Sequence, residues 1–570
     1  MADEERSCDE LALRLRDWVG YAGLPAGPLL ALVVAAALPD VLPGVAGNPR
    51  PVGPETRATA AVAAWMAAWW LTEAIPVYAT ALLPLVLFPL LGVAGLRDAA
   101  APYAHPLIFL FLGGFLVALA MQRWGLDRRT AFRTLAAVGS DPRRIVGGFM
   151  VATAVLSMWI SNTATALVML PIAESVIRLG SADPGPEDAT PSPSDPFAES
   201  LLLGIAYAAS IGGVATLIGT PPNLFLASWF ESHLGRPIGF AEWLGVGLPL
   251  AAALLPLAWW VLVRGLPRGD DAAGRSAVRS AAAAHRALGP MGPGERVTLV
   301  VGLAAAVLFV VRPWLQALEV GGRHPFAGLA DPVIAMGAAL LLFAIPVEPG
   351  RRVFALDWRT AARVPYGVLL LFGGGLSLAR AIDDNGVAEL VGGLVAGFGA
   401  VPGPVLVLAV VGLVIFLTEL ASNTATAATF VPLLAGVAAA VGLPVELLVV
   451  PAALAASFAF MLPVATPPNA VVFATGRIRP SRMIRTGLLL NLIATALIVA
   501  AAYGLVLPVL GSSPEASLPP ASVPSSPAAA VGRSSGTTAS ASPRIGGPSP
   551  SATISMRSIT TSSSGRSRGP

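Results

Sequence analysis

Two short strings of small polar residues are set in apolar sequence, and each occurs twice. Ser161-Asn162-Thr163-Ala164-Thr165 returns as Ser422-Asn423-Thr424-Ala425-Thr426, 261 positions on, and Pro171 returns as Pro432 at the same offset. Thr220-Pro221-Pro222-Asn223 returns as Thr466-Pro467-Pro468-Asn469 at an offset of 246. Proline has no amide hydrogen and its ring clashes with the preceding turn, so each Pro-Pro pair opens a helix. That frees carbonyls at Gly219 and Ala465 and leaves a helix N-terminus beside each. Hydroxyls, side-chain amides and free carbonyls suit a hard cation such as sodium, whereas amide-rich helix N-termini suit an anion. None of these groups carries a formal charge. Such a site takes an anion together with cations that compensate its charge and offset the loss of water. A single Ser-Asn-Thr reads as hydrogen-bonding glue between helices. Two copies, each tied to a Pro-Pro break, read as a site. Of the buried-looking acids, Glu73 and Glu174 read as caps or pairs near span ends. Glu419, beside the second tip, fits either orientation of the tip or a part in coupling. Arg380, Asp383 and Asp384 read as the solvated end of a span.

The elements that hold these residues are membrane spans. Only 12% of the 570 residues are charged and 55% are hydrophobic, with a mean hydropathy of +0.73. A water-facing surface of that size needs about a quarter charged residues. Apolar windows at 28–44, 58–75, 77–96, 103–122, 199–230, 242–263, 297–313, 329–347, 364–382, 445–475 and 483–510 predict an all-α polytopic membrane protein of about eleven transmembrane helices. The stretches 145–177 and 404–441 are split by the Ser-Asn-Thr strings. Their arms reach roughly 20–25 Å into a core of about 30 Å, so both are expected to be re-entrant hairpins whose tips line a cavity. Arginine-rich segments at 123–144, 264–296, 348–363 and 477–485 lie on one side only if each hairpin enters and leaves on the same side. That side is then cytoplasmic, as is the N-terminus. An odd number of crossings separates Gly113-Gly114 from their counterparts Gly373-Gly374, so the halves form an inverted-topology repeat, a hallmark of secondary transporters. The 15-residue difference between the two offsets matches an extra loop, Ser181–Pro196, in the first half. Residues 1–19 read as a cytoplasmic arm and 511–570 as a disordered Ser/Pro-rich tail.

Most catalytic chemistry is excluded. All 36 basic residues are arginine, so there is neither a lysine-bearing phosphate loop nor a Schiff-base lysine. His105, His233, His285 and His324 are scattered, and Cys8 is alone. No cofactor is expected. A net charge of +3 with arginines clustered between spans points to orientation in a membrane and not to nucleic acid.

These motifs resemble the divalent anion:sodium symporter family, which includes dicarboxylate, citrate and sulfate carriers. The paired Ser-Asn-Thr tips, Trp70-Leu71-Thr72-Glu73-Ala74-Ile75-Pro76, and above all the run from Ala456 to Val472 around Thr466-Pro467-Pro468-Asn469 are similar to its signatures. The likeness covers roughly 20–510. It implies a first sodium site of Ser157, Ser161, Asn162 and the Gly219 carbonyl, and a second of Thr418, Ala421, Asn423 and the Ala465 carbonyl. It implies substrate contacts at Asn162, Thr163 and Thr220 on one side and at Asn423, Thr424, Thr466 and Pro467 on the other. It also implies a homodimer in which a transport domain slides through a scaffold as an elevator. The scaffold would be 20–102 and 297–363. The two repeat halves would be 103–263, broken at 219–223, and 364–510, broken at 465–469, joined by a cytoplasmic loop over 264–296. The expectation is a multi-pass plasma-membrane protein that takes up small divalent anions with sodium, most readily four-carbon dicarboxylates such as succinate, malate or fumarate. Sulfate or another oxyanion, or sodium-independent dicarboxylate exchange, are the neighbouring readings. A passive anion channel and an intramembrane enzyme are the readings from other classes.

Overall fold

The computed structural model describes residues 2–43, 49–138, 141–180, 195–267, 283, 285–387, 390 and 401–511. The expected disordered tail past 511, much of the 264–296 connection and most of the loop from 181 lie outside the described residues. The described chain is helical apart from two short antiparallel ladders, Val41–Pro43 with Pro49–Pro51 and Pro346–Glu348 with Val353–Phe354. Eight helices among the described residues are long and apolar enough to cross a bilayer alone.

The chain opens with α1 (Ala2–Ala37), whose apolar part is Val19–Ala37, packed along α2 (Pro54–Thr72). This corrects the span expected at 28–44. Pro39 and Pro43 stop the helix, and 41–43 turns into a strand instead. The span expected at 77–96 is also different. It is made of two short helices, α3 (Val77–Thr80) and α4 (Leu83–Leu90), because Pro76, Pro84 and Pro89 restrict helix to brief runs. After α5 (Leu96–Ala100) come α6 (Pro106–Arg123) and α7 (Leu126–Val138). The first hairpin is α8 (Pro142–Ser157) and α9 (Asn162–Gly180), followed by α10 (Pro196–Val214), α11 (Pro221–Leu234) and α12 (Phe240–Val263).

The second half opens with α13 (Pro293–Ala317), α14 (Asp331–Ala344), α15 (Trp358–Ala361) and α16 (Tyr366–Asp384). Val300, Leu303, Val307, Val310 and Trp314 on α13 are exposed at helical spacing, an apolar stripe suited to lipid. The second hairpin is α17 (Gly403–Thr418) and α18 (Asn423–Val441). It precedes α19 (Glu446–Ala456), α20 (Pro467–Phe473) and α21 (Pro480–Ala501).

Side-chain contacts fix the direction of each element. The start of α8 is tied to the end of α12, because Arg143 Nε donates to the Leu266 carbonyl (2.9 Å) and Trp259 Nε1 donates to that of Arg143 (2.8 Å). Ser200, near the start of α10, donates to the Leu262 carbonyl (3.0 Å). Glu174, late in α9, pairs with Arg477, and buried Glu199 holds Arg479 through two bonds of 2.7 and 2.8 Å. The entry of α8 and the exit of α9 therefore share one face with the starts of α10 and α21. The first hairpin is re-entrant.

At the far end of α21 the second hairpin enters. A side-chain carbon at Gly403, the first residue of α17, would lie 3.1 Å from Leu443, just past α18, and 3.6 Å from the Tyr503 hydroxyl. Both ends of this hairpin thus share the opposite face. There the segment after α11 also arrives, since Arg236 bonds the Leu510 carbonyl. The pair α10–α11 crosses from the arginine-rich face outward, and α19–α20 crosses back to Arg477. The two halves are inverted, as the repeated motifs predict.

Packing is tight where α8 lies on α10. An added carbon at Gly212 would sit 2.3 Å from the Ala154 carbonyl oxygen, whereas one at Gly412 on α17 meets nothing within 4 Å. Overpacking costs about 1–3 kcal/mol or more. Gly212→Leu should therefore lower the melting temperature by several degrees and broaden the size-exclusion peak, while Gly412→Leu should leave both near wild type; equal behaviour would refute this packing.

Candidate functional site

The broken helices begin with matching geometry. Thr220 caps α11 with φ −140° and ψ 143°, and Thr466 caps α20 with φ −138° and ψ 149°; in each case prolines follow where the missing amide costs least. The Thr466 hydroxyl accepts the Asn469 amide at 3.4 Å, a bond Thr220 does not make. The asparagines closing the two motifs hold the breaks open. Asn223 Nδ2 lies 2.8 Å from the Thr216 carbonyl, 3.2 Å from that of Val214 and 3.4 Å from that of Gly213. Asn469 Nδ2 donates to the Ala459 and Leu462 carbonyls, both at 3.0 Å. Ala459 and Leu462 stand where the repeat places Gly213 and Thr216.

Each hairpin tip builds an electron-rich corner. The Ser157 hydroxyl is 2.7 Å from both Asn162 Oδ1 and the Ala209 carbonyl. The Thr418 hydroxyl is 2.8 Å from Asn423 Oδ1 and 2.9 Å from the Ala456 carbonyl. In both corners one proton serves three oxygens, so lone pairs are left facing one another, an arrangement that a cation stabilises. In the first half the Gly219 carbonyl joins this corner. A side-chain carbon on Gly213 would stand 2.5 Å from Asn162 Oδ1 and 3.1 Å from the Gly219 oxygen, so only glycine leaves the space between them open.

The structure thus brings together Ser157, Asn162 and Gly219, and likewise Thr418 and Asn423. Ser161 is turned to its own helix, its hydroxyl accepting the Ala164 amide at 3.4 Å. Ala421 and Ala465 flank the second tip and the second break without a recorded hydrogen bond to Thr418 or Asn423. Thr163 and Thr424 occupy the second positions of α9 and α18, the former half-buried and the latter buried; Pro467 is exposed at the start of α20.

The halves interlock. α9 packs against α20, and α11 against α18. Phe225 on α11 and Ala428 on α18 meet at Gly375, so those two helices start at the same level. The Glu174–Arg477 pair places the ends of α9 and α20 on one face. Tyr207 of α10 and Phe460 ahead of the second break meet ring to ring at 5.1 Å. Four helix starts therefore line one region, and α9, α11 and α18 are long enough to present a substantial positive end to an anion. Two symmetric pairs of buried oxygens, Thr165 and Thr426 Oγ1 and Asn223 and Asn469 Oδ1, have no partner among the described residues.

Glu419 breaks the symmetry. Buried, it accepts the amides of Phe460 (2.7 Å), Met461 (2.9 Å) and Leu462 (3.0 Å) and the Asn491 side-chain amide (2.7 Å). Of its two sequence readings, these contacts support orientation of the unwound segment. Met158 stands at the equivalent place in the first half, and its carbonyl accepts the Thr216 hydroxyl at 2.6 Å. Asn491, Thr216, Gly213 and the Glu199–Arg479 pair escape sequence reading. Repetition marks Asn223 and Asn469 in the sequence, but their bridging of the breaks depends on contacts that only the fold brings about.

The family model described as the sodium:sulfate symporter transmembrane region matches residues 28–510. The sodium-dependent dicarboxylate transporter SdcS of Staphylococcus saprophyticus is 42% identical over 464 residues, covering 79% of this chain and 86% of that protein. SdcS of Staphylococcus aureus is 38% identical over 501 residues, covering 86% and 92%. Among solved structures, the YdaH transporter of Alcanivorax borkumensis has a similar fold, with a TM-score of 0.52 at 16% identity over 86% of this chain and 98% of that one. The chain belongs to the sodium:sulfate symporter family, the divalent anion:sodium symporters its motifs resemble, and is a membrane transporter rather than an enzyme.

Proposed function

We propose that this protein is a sodium-coupled symporter of small divalent anions, with four-carbon dicarboxylates such as succinate, malate or fumarate as its substrates. The observation that carries this reading is the pair of hydroxyl–asparagine–carbonyl corners, each beside a helix start in its own half. Two such corners accommodate two monovalent cations, and helix starts from two opposed halves accommodate a carboxylate at each end of a short dianion. Two sodium ions and a dianion sum to zero, which lowers the cost of carrying them through lipid. Sodium sites of Ser157, Ser161, Asn162 and Gly219 and of Thr418, Ala421, Asn423 and Ala465 follow. Thr163, Thr220, Thr424, Thr466 and Pro467 join Asn162 and Asn423 around the anion. The names of the SdcS relatives support dicarboxylate over sulfate.

Alternating access by an elevator is part of the same proposal. The repeat halves 103–263 and 364–510 would move as a transport domain against a scaffold of 20–102 and 297–363, in a homodimer. An apolar cavity of about 160 Å³ lies where Trp159 and Ile218 of the first face Phe309, Ala335 and Ala338 of the second. Contacts without directional bonds are well suited to sliding. The gathering of Arg143, Arg264, Arg477, Arg479, Arg482 and Arg485 toward one face supports a plasma-membrane orientation with that face and the N-terminus in the cytoplasm.

Purified protein in liposomes should take up labelled succinate only under an inward sodium gradient, with sulfate competing weakly. Asn162→Ala or Asn423→Ala should each reduce uptake roughly 10–150-fold, the scale of one lost bond to a charged group. Uptake indifferent to sodium would sink the symport reading. Gly213→Ala should raise the half-saturating sodium concentration at least tenfold, about 1.4 kcal/mol, whereas Ala459→Gly should leave it within about twofold. Glu419→Gln should lower thermal stability while the sodium:succinate ratio of the remaining uptake stays unchanged; a changed ratio would make Glu419 part of coupling.

A further inference from the structure

On the arginine-rich face, apart from the tips and breaks, a cavity of about 310 Å³ lies between the end of α12 and the start of α21. Arg264, Arg479, Ser481, Arg482 and Arg485 line it. The carboxylate described at its edge is Glu199, which is engaged by Arg479 at 2.7 and 2.8 Å. Arg482 reaches the Leu262 carbonyl only at 3.5 Å, and its buried Nε has no partner. No ion pair is recorded among the described residues for Arg264, Arg482 or Arg485. Three guanidinium groups around one cavity repel each other unless an anion lies between them. The first turn of the 22-residue α21, capped by Arg479, adds its positive end from the same side.

The cavity adjoins apolar surface. On α21, Ile484, Leu488 and Leu492 are exposed four residues apart and form one stripe; on α12, Leu257 and Trp260 are exposed next to Arg264. The two helices pack against each other. We propose that this is a binding site for an anionic phospholipid, with the phosphate among Arg264, Arg482 and Arg485 and the acyl chains along the α12–α21 surface. A soluble phosphate would satisfy the arginines but leave that stripe without a purpose. A zwitterionic headgroup would bring a cation into a cavity already rich in them. Basic pockets between spans are suited to phosphate headgroups for these reasons. Guanidinium also favours phosphate, because its planar fork matches two phosphate oxygens at once.

The site bears on transport because α21 carries Asn491, the partner of Glu419. A lipid held there joins the bilayer to the helix that steadies the second break.

Native mass spectrometry of the detergent-purified full chain tests this with phosphatidylglycerol, phosphatidylcholine and inorganic phosphate as probes. Phosphatidylglycerol should bind at least tenfold more tightly than phosphatidylcholine. Arg264→Gln and Arg485→Gln should each weaken it about fivefold, and together about 25-fold, while Arg485→Lys should retain most of the affinity. Both arginines are exposed and their side chains make no described hydrogen bond, so the variants should fold, and an unchanged melting temperature without lipid checks that. Equal binding of the two lipids, or unchanged binding by the double variant, would overturn the site. Displacement of the lipid by equimolar inorganic phosphate would assign the pocket to a soluble anion instead. Conversion of a dimer to a monomer in the double variant, with lipid binding unaltered, would assign the surface to a second copy of the chain.

Discussion

A helix interrupted inside a bilayer exposes carbonyls and amides that lipid cannot satisfy, and every feature of the transport site depends on how that problem is solved here. The solution is economical in atoms. Asn223 and Asn469 each use one side-chain amide to bridge carbonyls on the chain just before their own helix, so each break is held by the residue that ends its motif. Glu419 supplies the complementary group, an acceptor for three consecutive amides. With the backbone supported in this way, the oxygens at the tips need not serve as structural acceptors. They remain concentrated around a single proton in each corner.

Repetition made the breaks and tips legible in the sequence. A Pro-Pro pair or a Ser-Asn-Thr string has several structural explanations alone, but ordered recurrence at nearly constant offsets does not, and the inverted architecture followed from parity and arginine placement. What stayed hidden depends on long-range contact. Glu199 and Arg479 are 280 positions apart, and Glu419 and Asn491 are 72 apart, with nothing local to connect them. Gly213 is one of 59 glycines, and its role emerges only when the space beside Asn162 is measured. The first span lies earlier than hydropathy predicts, because the apolar window runs past Pro39 whereas the helix ends at Ala37.

The two halves are similar in plan and different in electrostatics. In the first, a neutral hydroxyl from Thr216 meets the Met158 carbonyl; in the second, a full carboxylate binds the unwound chain. Four donors converge on Glu419, so the second break is tied to the rest of the fold through more bonds than the first. The first corner also has a glycine where the second has Ala459, and is correspondingly more open.

The helix α21 touches both faces and the middle: Arg479 at one end on Glu199, Asn491 midway on Glu419, and Tyr503 past the other end beside the second hairpin. Among the described spans it is the last in chain order. Without it, the carboxylate of Glu419 lacks one of its four donors and Glu199 has no arginine, so two acids of the earlier segments are left incompletely paired. A chain cut short before residue 480 would lack the element that holds both halves together.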